Sequence, residues 1–151
     1  MKRLFVVLFA LLLFASTSFA AGSCVWTNGA VAGYGDDKRE IELTCTGDGT
    51  ITAFSIVPKD YKVRGFYLYS VTTDPGTPAP TADYDITLVV DGEDIAGGLL
   101  ADRSATLTET VVIAPTTKGY PIMGDSAMAV TFANETANPS TIVIKFKFVK
   151  N

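Results

Sequence analysis

Hydrophobic and polar residues alternate along most of this chain, and the alternation is clearest near its end. From Thr141 to Val149, Ile142, Ile144, Phe146 and Phe148 fall on one side while Lys145 and Lys147 fall on the other. A period of two predicts a half-buried strand, and lysines at alternate positions predict a protected sheet edge. Lys38 to Thr46 has the same form, with Ile41, Leu43 and Cys45 opposite Glu40, Glu42 and Thr44. Asp83 to Asp91 places Tyr84, Ile86, Leu88 and Val90 in phase, and Ala127 to Ala133 is a strand of small residues with Val130 and Phe132. Thr50 to Val57, following the glycine-rich Gly47-Asp48-Gly49, reads as the return strand of a hairpin. Cys24 to Thr27 is a further short apolar piece.

Two stretches break the pattern. Val63 to Thr73 is apolar on both sides, with Val63, Tyr67, Tyr69 and Val71 in one phase and Phe66 and Leu68 in the other. A strand with no wet side is either central or covered by a partner. Leu99 to Ala114 is the longest mature run without glycine or proline. Its start (Leu99, Leu100, Arg103) predicts one helical turn, and its end is too β-branched for a helix. Between these runs lie turn segments such as Asp74 to Pro80, Asp91-Gly92-Glu93-Asp94, Pro115 to Pro121 and Asn134 to Ser140. Seven or eight short antiparallel strands without a long helix or an internal repeat predict a single all-β domain, a β-sandwich with jelly-roll-like character, over residues 21–151.

The first twenty residues stand outside that fold. Lys2 and Arg3, the apolar run from Leu4 to Ala15, and Ser18-Phe19-Ala20 make a signal peptide cut after Ala20, too short for a comfortable membrane span. Its removal leaves 131 residues and, since Lys2 and Arg3 go with it, moves the net charge from −4 to −6. The expected location is exported: periplasmic, cell surface or extracellular. An acidic chain without clustered lysine and arginine is no nucleic-acid binder, and it lacks the polybasic patch of an anionic membrane surface. Cys24 and Cys45, an even pair in an oxidising compartment, predict one disulfide worth about 3 kcal/mol for a loop of this length.

Candidate chemistry is sparse. The chain has no histidine, which removes the commonest general base and most transition-metal sites, and paired cysteines leave no thiolate. The expectation is therefore no enzyme, no catalytic residue and no cofactor. Asp83 and Asp85 have the spacing of a carboxylate pair, yet equally that of solvated strand residues. Asp91, Glu93 and Asp94 crowd one turn and form a weak calcium candidate. The spacing matches no EF-hand, and aspartate and glycine are ordinary turn residues, so no metal is expected. Trp26, Tyr61, Tyr67, Tyr69, Tyr84 and Tyr120 would serve either a sugar platform or a core, with the core as the commoner use. Asn134-Glu135-Thr136 fits the glycosylation pattern.

The central segment also resembles known proteins. Asp74-Pro75-Gly76, Ala79-Pro80-Thr81, Tyr84-Asp85-Ile86-Thr87-Leu88, Asp91-Gly92-Glu93-Asp94, Gly97-Gly98 and Arg103-Ser104 occur in an order similar to small β-rich structural proteins of tailed-phage and prophage gene sets. Gly124 followed by the Ala127 to Phe132 strand resembles their later portion. The likeness covers about residues 61–150 and implies a virion or appendage component without catalytic residues. The export signal and the cysteine pair depart from it, since virions assemble in a reducing cytoplasm. The leading expectation is an exported structural protein that associates with itself through Tyr67 and Tyr69. The alternatives are a small carbohydrate- or protein-binding module and a phage virion protein.

Overall fold

The computed structural model describes residues 22–28, 37–47, 53–56, 63–113, 119–123 and 126–150, so the leader, the Gly47-Asp48-Gly49 tip beyond Gly47, and Tyr61 lie outside the described residues. Ten strands follow in order: β1 Ser23–Asn28, β2 Lys38–Gly47, β3 Ala53–Ile56, β4 Phe66–Pro75, β5 Asp85–Val90, β6 Glu93–Asp94, β7 Glu109–Val112, β8 Tyr120–Pro121, β9 Met128–Ala133 and β10 Ser140–Lys150. The two beyond the expected seven or eight are the two-residue pieces β6 and β8. They make two antiparallel sheets, one ordered β1-β2-β10-β4-β7 with β8 also on β4, the other β3-β9-β5-β6. One core joins the sheets: Ile41, Leu43, Leu68, Val71 and Phe146 from the larger meet Ile86, Leu88, Val130 and Phe132 from the smaller. The all-β sandwich is therefore present. The chain passes between the sheets after β2, β3, β4, β6, β8 and β9, so most strand neighbours are distant in sequence.

Several local expectations change. β3 does not return along β2 as a hairpin; it pairs with β9 in the other sheet. The run from Leu99 makes turns, with Leu99 N donating to Ala96 O and Ala101 N to Gly98 O, rather than a helical segment, before β7 begins. β10 is no edge. It pairs with β2 from Ser140↔Gly47 to Val149↔Lys38 on one side and with β4 along the other. Lys145 and Lys147 point to the outer face of a central strand, and Lys145 reaches Glu42 (3.8 Å) and Asp74 (4.0 Å) across it. Alternation marks one face as wet, and says nothing of whether the backbone edge is paired.

Cys24 and Cys45 face each other across β1 and β2 and form the disulfide, with Cys45 wholly buried. The β5–β6 turn is a two-residue hairpin in which Asp91 (φ 52°) and Gly92 (φ 89°) both take the positive values that a primed turn demands.

Candidate functional site

The two-sided look of Val63–Thr73 has a specific cause. In the ladder with β10, Lys147 pairs with Ser70 and Phe148 with Leu68, which leaves Tyr69 without a partner residue. That one extra residue is a β-bulge, and it inverts the alternation at its position. Phe66 and Leu68 before it, and Val71 and Thr73 after it, therefore all point into the core. Tyr67 and Tyr69 lie together on the outer face, Tyr67 half-buried and Tyr69 37% exposed. The sequence phase grouped Val63 and Val71 with the tyrosines, but both valines are core: the bulge turns Val71 inward, and Val63 lies ahead of β4, set off from it by the turn at Gly65 (φ 76°).

The bulge sits where β4 changes partner. Residues 70–73 pair with β7, residues 67–68 pair with β8, and Tyr69 O accepts from Ile113 N at 3.0 Å between them. Register places Pro121 beside Tyr67 and Val112 beside Ser70, so these side chains share the tyrosines' face. Val112 is 40% and Met123 58% exposed. Gly119, at φ 83°, enters β8 so closely that a Cβ would collide with Leu68 O, and this fixes β8 against β4.

Two cations share this face: Lys147 lies between Ser70 and Glu40, and Lys38 lies beyond Val149 in the row that contains Tyr67, while Arg64 is exposed just ahead of β4 and Lys150 pairs with Phe66 in the opposite phase. Arg39, by contrast, stacks over the Phe66 ring at 5.0 Å. The chain's charge is segregated, since residues 65–102 contain seven carboxylates and no lysine or arginine.

Asp91, Glu93 and Asp94 are all exposed on the opposite sheet's edge. Two of them serve the backbone: Asp91 Oδ1 accepts from Ala127 N at 2.7 Å and Asp94 Oδ1 from Ala96 N at 3.1 Å. Asp85 is likewise occupied, accepting from Asp102 N (2.9 Å) and Asn134 Nδ2 (2.6 Å). Asp83 sits apart in a turn at φ 60°. Among the described residues no three carboxylate, cysteine or histidine groups converge as metal ligands do. Asn134, the glycosylation candidate, thus has its amide nitrogen engaged by Asp85.

Sequence reasoning missed a buried polar group between the sheets. Arg103 donates through Nε to Thr73 Oγ1 (3.2 Å) and through Nη1 to Leu99 O (3.4 Å), and pairs through Nη2 with Glu109 (3.1 Å). Glu109 also accepts from Ser104 N at 2.7 Å. Tyr84 is wholly buried beside Thr73, Arg103 and Glu109, and among the described residues its hydroxyl has no well-formed hydrogen bond, only a weak interaction with the Thr73 hydroxyl. Burial raises its pKa to about 12, against a weaker downward pull from Thr73 and Arg103. A sequence signal was available, since Arg103 is the lone cation between Arg64 and Lys118. Glu135, also buried, accepts from Thr81 N (2.9 Å) and Ala137 N (3.0 Å) and ties two loops together. These groups are linked to backbone and to one another, an arrangement that locks loops. No protein-family model, curated protein or solved structure matches the chain.

Proposed function

We propose that this protein is an exported, non-catalytic β-sandwich that assembles with copies of itself through the outer face of β4. The observation that carries this reading is the bulge at Tyr69, which turns two tyrosines outward beside Val112 and Pro121. Away from the corner the outer face carries residues such as Glu42, Thr44 and Lys145, so the apolar side chains at the corner stand out from their surroundings. The paired cysteines support an oxidising location, and the absence of histidine supports a role without acid–base chemistry. Covering the exposed parts of these side chains is worth about 1–2 kcal/mol each at 25 cal/mol/Å². Association costs consume much of that, so the contact is weak singly and effective among many copies.

The test is sizing of the mature protein and of Tyr67→Lys with Tyr69→Lys across a concentration series. Wild type should grow with concentration and the folded variant should stay monomeric. A wild type that stays monomeric at millimolar concentration overturns the reading and leaves a binding module in its place.

A further inference from the structure

The apolar corner is too small to hold a partner alone, and the charges around it say what kind of partner would complete it. Lys38 and Lys147 share the tyrosines' face, Lys147 with Glu40 across from it, and Arg64 is exposed just ahead of their strand, in a chain whose net charge is negative. Cations beside aromatic side chains favour an anionic, projecting partner, because opposite potentials steer encounter and fix orientation. The chain carries such an element itself. The β5–β6 hairpin projects Asp91, Glu93 and Asp94, all exposed, at the edge of the other sheet, and no lysine or arginine occurs from residue 65 to residue 102. Among the described residues the Glu93 carboxylate makes no hydrogen bond or ion pair, which leaves its charge available to a neighbour.

We infer that the occupant of the tyrosine corner is the acidic β5–β6 hairpin of a second copy of this chain. This inference rests on the self-association reading above and specifies its geometry. The corner belongs to the outer face of the six-stranded sheet and the hairpin to the edge of the four-stranded one, so the two surfaces are different. Contact between unlike surfaces is heterologous. Each copy keeps one unused corner and one unused hairpin, and growth continues into a ring or an open chain rather than stopping at a dimer.

The experiment uses two full-length mature variants. Glu93→Lys with Asp94→Asn alters the hairpin and retains an Oδ1 acceptor for Ala96 N; Lys38→Glu with Arg64→Glu alters the corner at exposed positions. Circular dichroism and thermal melts establish that both fold. Each variant alone should sediment as a monomer at concentrations where wild type associates, and an equimolar mixture should associate again, since it supplies one intact corner and one intact hairpin. Wild-type association should also weaken about tenfold or more between 50 and 500 mM salt. If Glu93→Lys/Asp94→Asn associates as wild type does, or the mixture stays monomeric, the hairpin is not the occupant, while self-association through the tyrosines stands. If wild type itself never associates, both readings fail.

Discussion

Tyr84→Phe is the sharpest probe of the buried polar group. The Tyr84 ring fills the core at 0% exposure, and among the described residues its hydroxyl has exchanged water for no more than a weak interaction with Thr73. Burying a hydroxyl in that way costs about 1–3 kcal/mol, partly offset in the variant by the small void that the lost oxygen leaves. At pH 7, Tyr84→Phe should therefore match wild type or exceed it by up to about 1 kcal/mol. The alkaline limb is more diagnostic. Burial raises the pKa from 10.0 in the unfolded chain to about 12 in the folded one, so the folded state favours the neutral phenol. A raised folded pKa contributes stability that is fully present below pH 10 and lost as pH rises through 12. Two pKa steps amount to about 3 kcal/mol, half of it gone by pH 11. Every other group is common to both proteins, so the difference between variant and wild type isolates Tyr84. Urea unfolding at pH 7, 9, 10, 11 and 12, recorded promptly to spare the disulfide, should show that difference rising by about 3 kcal/mol in favour of Tyr84→Phe. A flat difference curve refutes the buried, uncharged tyrosine. A loss above about 1 kcal/mol at pH 7 means that the hydroxyl has a partner.

Other positions test other parts of the architecture. Glu109→Gln strips the countercharge from Arg103, whose side chain is 7% exposed, and should cost about 2 kcal/mol because Glu109 itself is a third exposed; adding Arg103→Met should recover part of this in a double-mutant cycle. Cys24→Ala with Cys45→Ala opens a loop of sequence separation 21 and should lower stability by about 3 kcal/mol in urea unfolding. Gly119→Ala drives a Cβ into Leu68 O at φ 83° and should cost about 2 kcal/mol or more by thermal melting, with β8 lost from the sheet. Millimolar calcium should leave Tm unchanged, because Asp91 and Asp94 already accept from backbone amides; a rise of several degrees, abolished by Asp91→Ala, refutes that.

What the sequence disclosed follows from the range of the interactions that produce it. The alternations of β2, β5, β9 and β10 are local, one side chain against the next, and each appears with its buried face as expected. The disulfide could be expected from an even cysteine count together with the expectation of export. Pairing is not local: β2 lies beside β10 from the other end of the chain, and β3 beside β9, so the β2–β3 hairpin inferred from adjacency failed while the two strands themselves held. The Arg103 group was hidden for the same reason, since Thr73 stands 30 residues from it. Arg103 in the sequence is one cation in a polar run, and becomes a core residue only when β4 and β7 close around it.

The bulge at Tyr69 shows how a misreading of period bears on function. A strict period of two assigns Val71 to the tyrosines' side and makes the strand apolar on both faces. One unpaired residue in the ladder removes that contradiction: the aliphatic side chains all turn inward, and only Tyr67 and Tyr69 remain outside. A fully two-faced strand would have required cover along its whole length, and so a large obligate partner. A bulged strand with one dry face requires cover only at the corner where β7 gives way to β8. That area is modest, and a modest apolar contact needs charge to orient it. The same chain keeps 38 consecutive residues free of cations and sets Lys38 and Lys147 on the tyrosines' face, a distribution that a head-to-tail contact between copies would use.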